Sequence, residues 1–130
     1  MTSAAPQPVE TLTITQVAER TGLSPDTLRY YEKAGLISPI SRSAGGRRHY
    51  ALADLNWIAF LLRLRDTGMS IADMQHFAAL RRTGGTTIAD RLVLLREHRA
   101  RLDERIRHLQ ANGDALDDKI DHYVKLMGEI

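Results

Sequence analysis

The stretch from Thr15 to Tyr50, TQVAERTGLSPDTLRYYEKAGLISPISRSAGGRRHY, constrains this chain more than any other. It fits two short helices, a tight turn and a basic hairpin into one segment. Thr15 can cap a first helix over Gln16 to Arg20, with Val17 and Ala18 on its inward face, and Gly22 stops it. Leu23 then points inward, Ser24 caps a second helix, and Pro25 takes the first helical position, where its missing N–H costs nothing. That helix, PDTLRYYEKA, ends at Gly35, a residue suited to a left-handed cap. Two helices joined by a turn containing Gly make a helix-turn-helix, whose second helix is offered to the DNA major groove.

Helical spacing sorts the second helix into two faces. Leu28 and Tyr31 share a side that can pack on Val17, Leu23 and Leu36, which leaves Asp26, Thr27, Arg29, Tyr30 and Lys33 pointing away. Arg29 could read guanine or clamp a phosphate, Thr27 could touch a base edge or a thymine methyl, and the Tyr30 hydroxyl could donate to a phosphate. After it, Arg42-Ser-Ala-Gly-Gly-Arg-Arg-His-Tyr50 predicts two short antiparallel strands around a Gly45-Gly46 turn, the form of a wing. From Arg29 to Arg48 five basic residues stand against the single acid Glu32, a local charge of +4 where the whole chain carries +2. Positive charge is thus concentrated where a phosphate backbone would lie. The bland alternative, a solvated helix face, does not explain why the adjoining hairpin is also basic.

The order ITQVAERTGLSPDTLRYYEKAGLI, then Pro39, GRRHY and DTGMSIADM resembles the N-terminal domain of the MerR family of bacterial transcriptional regulators. The likeness covers residues 12 to about 80 and continues more loosely into the C-terminal helix. It implies that Arg29, Tyr30 and Arg48 are the main DNA contacts, and Arg47 stands where many members carry an aromatic. The full contact set expected is Thr15, Gln16, Thr27, Arg29, Tyr30, Arg42, Arg47, Arg48 and Tyr50. The wording LDDKIDHY near the C-terminus resembles the short, AdhR-like members, whose small C-terminal region stands in for a full ligand domain. Those members often carry a cysteine within the third helix. This chain has Arg63 there, which speaks against aldehyde or electrophile sensing.

Composition narrows the function classes. The chain has 130 residues, 43% apolar and 26% charged, with no cysteine. Disulfides, zinc ribbons, thiolate metal sites and thiol redox sensing within the chain are therefore excluded. No run of about 18 apolar residues appears and Met1 to Val9 lacks the pattern of a signal peptide, so a cytoplasmic protein without a membrane partner is expected. His98, His108 and His122 are not gathered on one helix face and are expected at solvated or rim positions, so neither metal nor cofactor is predicted. No nucleophile and base constellation or phosphate-cradling loop suggests an enzyme.

The remaining sequence is helical. Leu52 to Thr67 predicts a third helix with Leu55, Ile58, Ala59 and Leu62 on one face, ended by Gly68. Ser70 with Asp73 forms a capping box for a fourth, with Ile71, Met74, Phe77, Ala78 and Leu80 as its apolar stripe. Trp57 and Phe60 read as core or interface residues. Arg81-Arg82 can answer the helix dipole or touch phosphate. Thr83 to Thr87 predicts a hinge, and Thr87 with Asp90 a further capping box. From Ile88 a 4-3 spacing runs through Leu92, Leu95, Arg99, Leu102, Ile106 and Leu109, a coiled-coil seam that needs a partner helix, most simply a second copy. Ile88 to Ala111 would span about 36 Å, close to one turn of DNA. Asn112-Gly113 is expected to interrupt or end that helix, leaving a short helix in which five acids outweigh two lysines.

The expected architecture is mainly α, a winged helix-turn-helix DNA-binding domain with a small β wing plus a long C-terminal dimerisation helix. Its pieces are a flexible N-terminus (1–10), the DNA-binding domain (11–82), a hinge (83–87), the coiled-coil helix (88–112) and a short terminal helix or effector-region remnant (113–130). The resemblance implies an antiparallel coiled coil, promoter DNA and RNA polymerase as partners, and activation through distortion of an overlong promoter spacer. A small-molecule effector is left open. An architectural, excisionase-like DNA bender and a coiled-coil adaptor are the other classes this sequence could serve.

Overall fold

The computed structural model describes residues 11–129, so the expected flexible segment 1–10 lies outside the described residues. The elements run β1 (Thr11–Leu12), α1 (Ile14–Thr21), α2 (Pro25–Lys33), β2 (Ser41–Arg42), β3 (Arg48–Ala51), α3 (Leu52–Asp66), α4 (Ile71–Thr83), one 3-10 turn (Gly85–Thr87) and α5 (Ile88–Gly128). The architecture is mainly helical with a small winged sheet, as the sequence predicts. The chain divides into two compact units, one ending at Arg91 and the other beginning at Leu92.

In the first unit, α1 begins earlier than expected. Thr13, not Thr15, is its cap: the Thr13 hydroxyl accepts from the Gln16 N–H at 3.2 Å while the Gln16 side chain accepts from the Thr13 N–H at 2.9 Å. This reciprocal pair satisfies two orphan donors at once. Leu12, just before it, pairs with Tyr50, so β1 joins β3 and the wing is a three-stranded antiparallel sheet in the order β1-β3-β2.

The core gathers Val17, Leu23, Leu28, Tyr31, Leu36, Ile37 and Tyr50 from the winged unit, with Trp57, Ile58, Leu61, Leu64, Met74 and Phe77 from α3 and α4. The expected stripe of α3 is rotated. Ile58 is buried, but Trp57, Leu61 and Leu64 share the buried side, whereas Leu55 and Leu62 are half-buried and Ala59 is exposed. The cause is the aromatic cluster: Trp57 stacks on Phe77 at 5.8 Å, and the partly exposed Phe60 leans on Phe77 at the same distance, turning the large side chains of α3 toward α4. The stripe of α4 is as expected at Met74, Phe77 and Ala78, whereas Ile71 is exposed.

The expected hinge is hydrogen-bonded. Thr87 is 7% exposed, and its hydroxyl lies 2.5 Å from the Leu80 carbonyl and 2.8 Å from that of Gly84, while Arg91 donates to the Thr87 hydroxyl and to Gly84. Thr87 therefore secures the end of α4 in place of forming the box with Asp90.

Within α5 the expected break is absent. The helix runs for 41 residues through Asn112 and Gly113, about 60 Å, so its length does not by itself set a one-turn spacing. A single interior Gly costs only about 1 kcal/mol against Ala, too little to end a helix whose neighbours favour it. Gln110 also bonds Asp114 across the glycine at 3.2 Å. His98, expected at a solvated position, is 7% exposed, while His108 and His122 are exposed. Added at Gly113, a Cβ would meet nothing within 4 Å. Gly113→Ala should therefore stabilise α5 by up to about 1 kcal/mol, raising the melting temperature followed by circular dichroism; a lower melting temperature would show that the chain needs a break there.

Candidate nucleic-acid interface

Helix α2 is set at both ends before any of its outward residues matter. Ser24 accepts from the Thr27 N–H at 3.1 Å, and Pro25 follows as the first helical residue. At the other end Gly35 has φ of +78°, the Leu36 N–H reaches back to Tyr31 at 2.9 Å, and the Gly35 N–H reaches Glu32 at 3.2 Å, a paired closure that needs a glycine. Three further donors fix the exit. Gln75 bonds the Ala34 carbonyl, Arg82 that of Gly35 and Trp57 that of Leu36, each at 2.8 Å. Arg82 thus serves the fold, as does Arg81, whose guanidinium lies 4.5 Å from the Trp57 ring centre.

With Leu28 and Tyr31 buried, α2 exposes Asp26, Arg29, Tyr30 and Lys33. Arg29 pairs with Asp26 at 2.9 Å, yet its side chain is 47% and that of Asp26 95% exposed. Such an exposed pair is worth less than about 1 kcal/mol, so it holds Arg29 only weakly. Thr27 is half-buried and its hydroxyl lies 2.9 Å from that of Ser24, so it belongs to the cap as much as to the outward face.

The wing closes through Ser43, whose N–H reaches the Arg47 carbonyl at 2.8 Å, and through Gly46, with φ of +78°, whose N–H reaches Ser43 at 2.9 Å. Arg42 bonds the Gly46 carbonyl at 3.3 Å and remains exposed, as does Arg47. Period-two alternation along β3 then divides the expected contacts. Tyr50 is fully buried, and its hydroxyl has no hydrogen-bond partner among the described residues, so the expected DNA contact at Tyr50 is corrected to a core position. Arg48, on the same side of the strand, is half-buried and donates Nε to Glu32 at 3.1 Å.

A cleft of about 480 Å³ lies where these elements meet, lined by Thr13, Ile14 and Thr15 at the start of α1, by Arg29, and by the wing from Gly46 to His49. It brings together Thr15, Arg29, Arg47 and Arg48 of the expected set and adds Thr13, Ile14 and His49. Gln16, Thr27, Tyr30 and Arg42 lie outside its lining. A larger hollow of about 610 Å³ between α1 and α3 holds only two cations, Arg20 and Arg63, beside Asp66, and lacks this concentration of positive charge. A channel with three arginines at a helix N-terminus is suited to a polyanionic strand.

Burial is the main influence on Tyr50, pushing its hydroxyl above the usual 10.0 against the opposing pull of Arg48. The unfolded chain therefore ionises first, so this contribution to stability is complete below pH 10 and is lost as pH climbs through the folded value. Tyr50→Phe, which removes an unsatisfied buried hydroxyl, should raise stability at neutral pH by roughly 1 kcal/mol, lessen the alkaline loss and leave duplex affinity unchanged. Weaker duplex binding by this variant in a fluorescence titration would return Tyr50 to the interface.

Residues 12–80 match the family described as MerR HTH family regulatory protein, and residues 55–119 match the one described as MerR, DNA binding. An HTH-type transcriptional regulator of Haemophilus influenzae is 36% identical over 115 residues, 88% of this chain and 85% of the relative. The HTH-type transcriptional regulator AdhR of Bacillus subtilis is 40% identical over 93 residues, 72% of this chain and 66% of the relative. Among solved structures, a MerR family transcriptional regulator from Listeria monocytogenes superposes with a TM-score of 0.82 at 43% identity, covering 86% of this chain and 85% of that one. HiNmlR, described as a MerR family regulator lacking the sensor domain, bound to promoter DNA, superposes at 0.81 with 35% identity, covering 89% and 92%.

Proposed function

The chain belongs to the MerR family of DNA-binding transcriptional regulators, and from that premise we propose that it binds a palindromic promoter site as a homodimer and activates transcription by distorting an overlong promoter spacer. The observation that carries the DNA surface is the cleft joining Arg29 of the recognition helix to Arg47 and Arg48 of the wing. Phosphate contacts along it supply salt-dependent affinity, and sequence-dependent deformability of the spacer supplies part of the selectivity. That a structural neighbour is described as bound to promoter DNA supports a promoter as the target. RNA polymerase is then the second partner, and the protein works in the cytoplasm.

Support for the dimer comes from α5. Ile88, Leu92, Ile106, Leu109, Leu116, Ile120, Tyr123 and Met127 are all exposed, and with the half-buried Leu95 and Leu102 they continue the 4-3 spacing past Gly113. So long an apolar stripe on one helix calls for a second helix. Charge favours the antiparallel sense: residues 88–107 carry six basic and four acidic side chains, residues 108–128 two and four. A parallel pair would set like on like, whereas an antiparallel one sets the +2 half against the −2 half.

Replacing both Ile106 and Leu109 by Asp should give a folded monomer in sedimentation, with promoter affinity lower on the order of 100-fold. An unchanged dimer would remove α5 as the interface. On DNA from upstream of its own gene, the protein should protect the stretch between the two polymerase-recognition elements and increase transcript in vitro; protection outside any promoter spacer would refute the distortion mechanism.

A further inference from the structure

A carboxylate is out of place in a surface that must accept a polyanion, yet Glu32 sits on α2 between Arg29 and the wing. It is also one of the best-held charges there. The Glu32 side chain is 14% exposed and that of Arg48 18%. Arg48 Nε donates to Oε2 at 3.1 Å and to Oε1 at 3.5 Å, and Oε1 also accepts the Ile40 N–H at 3.3 Å. One carboxylate therefore ties the recognition helix, the segment entering β2, and wing strand β3.

Two further facts give this contact a purpose. In the β2/β3 ladder Arg48 stands directly opposite Arg42, a like-charge pairing that favours splayed strands unless one charge is answered. And Nε is only one corner of the Arg48 guanidinium: the side-chain bonds of Arg48 among the described residues are both made by Nε, while the side chain lines the cleft with Arg29 and Arg47. The contrast with Arg29 is instructive. Its partner Asp26 is almost wholly exposed and holds it weakly, whereas Glu32 is shielded and bonded three ways.

Resting on the DNA-binding function proposed above, we propose that Glu32 is a positioning residue for recognition: it holds the Arg48 guanidinium by its Nε corner so that the Nη edge meets a phosphate, and it indexes the wing to helix α2. Glu32 lowers total attraction for DNA, because it cancels a charge. In return the helix and the wing meet the duplex in one fixed geometry, so register on the DNA is selected and wrong sequences are rejected.

The test separates affinity from selectivity. A duplex selected from a random pool by the wild-type protein, and a shuffled duplex of the same composition, are titrated with wild type, Glu32→Gln and Arg48→Lys across a salt series. For Glu32→Gln we expect equal or tighter binding to the shuffled duplex, with a salt slope steeper by about one phosphate contact. The selected-to-shuffled preference should fall on the order of tenfold. Arg48→Lys keeps the charge but loses the planar fork, and should lose the same preference without the steeper slope. Unchanged preference in Glu32→Gln overturns the proposal. So does an equal loss on both duplexes with a lower melting temperature, the signature of a merely structural contact. Failure of the wild type to bind either duplex at low salt would instead overturn the DNA-binding function itself.

Discussion

Three backbone carbonyls at the exit of α2 carry the organisation of the winged unit. Helix ends leave their last carbonyls without partners, and at a buried position such as Leu36 leaving one unbonded would be costly. Here Ala34, Gly35 and Leu36 are met by Gln75, Arg82 and Trp57, side chains supplied by α3 and α4. The recognition helix is thus anchored to its supports through its own backbone, independently of its outward residues. Those supports are in turn aligned by the stacked rings of Trp57 and Phe77. Outward positions of α2 can then be chosen for DNA without disturbing how the helix is held.

Charge in the interface is graded by burial. Arg47 and Arg42 are exposed at the wing, Arg29 is loosely paired, and Arg48 is locked to Glu32. Salt screens the exposed cations strongly and the shielded pair only weakly. Under the proposed DNA-binding role, affinity and register are assigned to different side chains. In α5 charge is graded along the helix axis instead, with six basic and four acidic side chains over residues 88–107 and two and four over residues 108–128.

Much of the fold was legible because its punctuation is local. Ser24, Pro25 and Gly35 bound α2 through interactions within a few residues, and the 4-3 spacing of α5 is a property of one helix. The cap of α1 was misplaced because Thr13 and Thr15 are equally good caps in isolation. The reciprocal bond with Gln16 and the strand pairing of Leu12 select Thr13. At Gly113 a glycine reads as a stop, but tolerance of one glycine depends on the helix around it. The face of α3 was rotated because Trp57 and Phe60 dominate the apolar area and follow Phe77, a partner that helical periodicity does not see.

The sequence by itself determined the winged helix-turn-helix, the concentration of arginines, the absence of thiol chemistry and the apolar stripe of α5, since these follow from residue type and spacing along one strand or helix. Only the tertiary structure decided which arginines are free. Arg48 and Tyr50 look like neighbours of Arg47 in a basic run, yet alternation along β3 turns both inward, one to Glu32 sixteen residues earlier and the other into the core. Period two divides the strand's faces, but which face meets the core is settled by packing between segments distant in the chain.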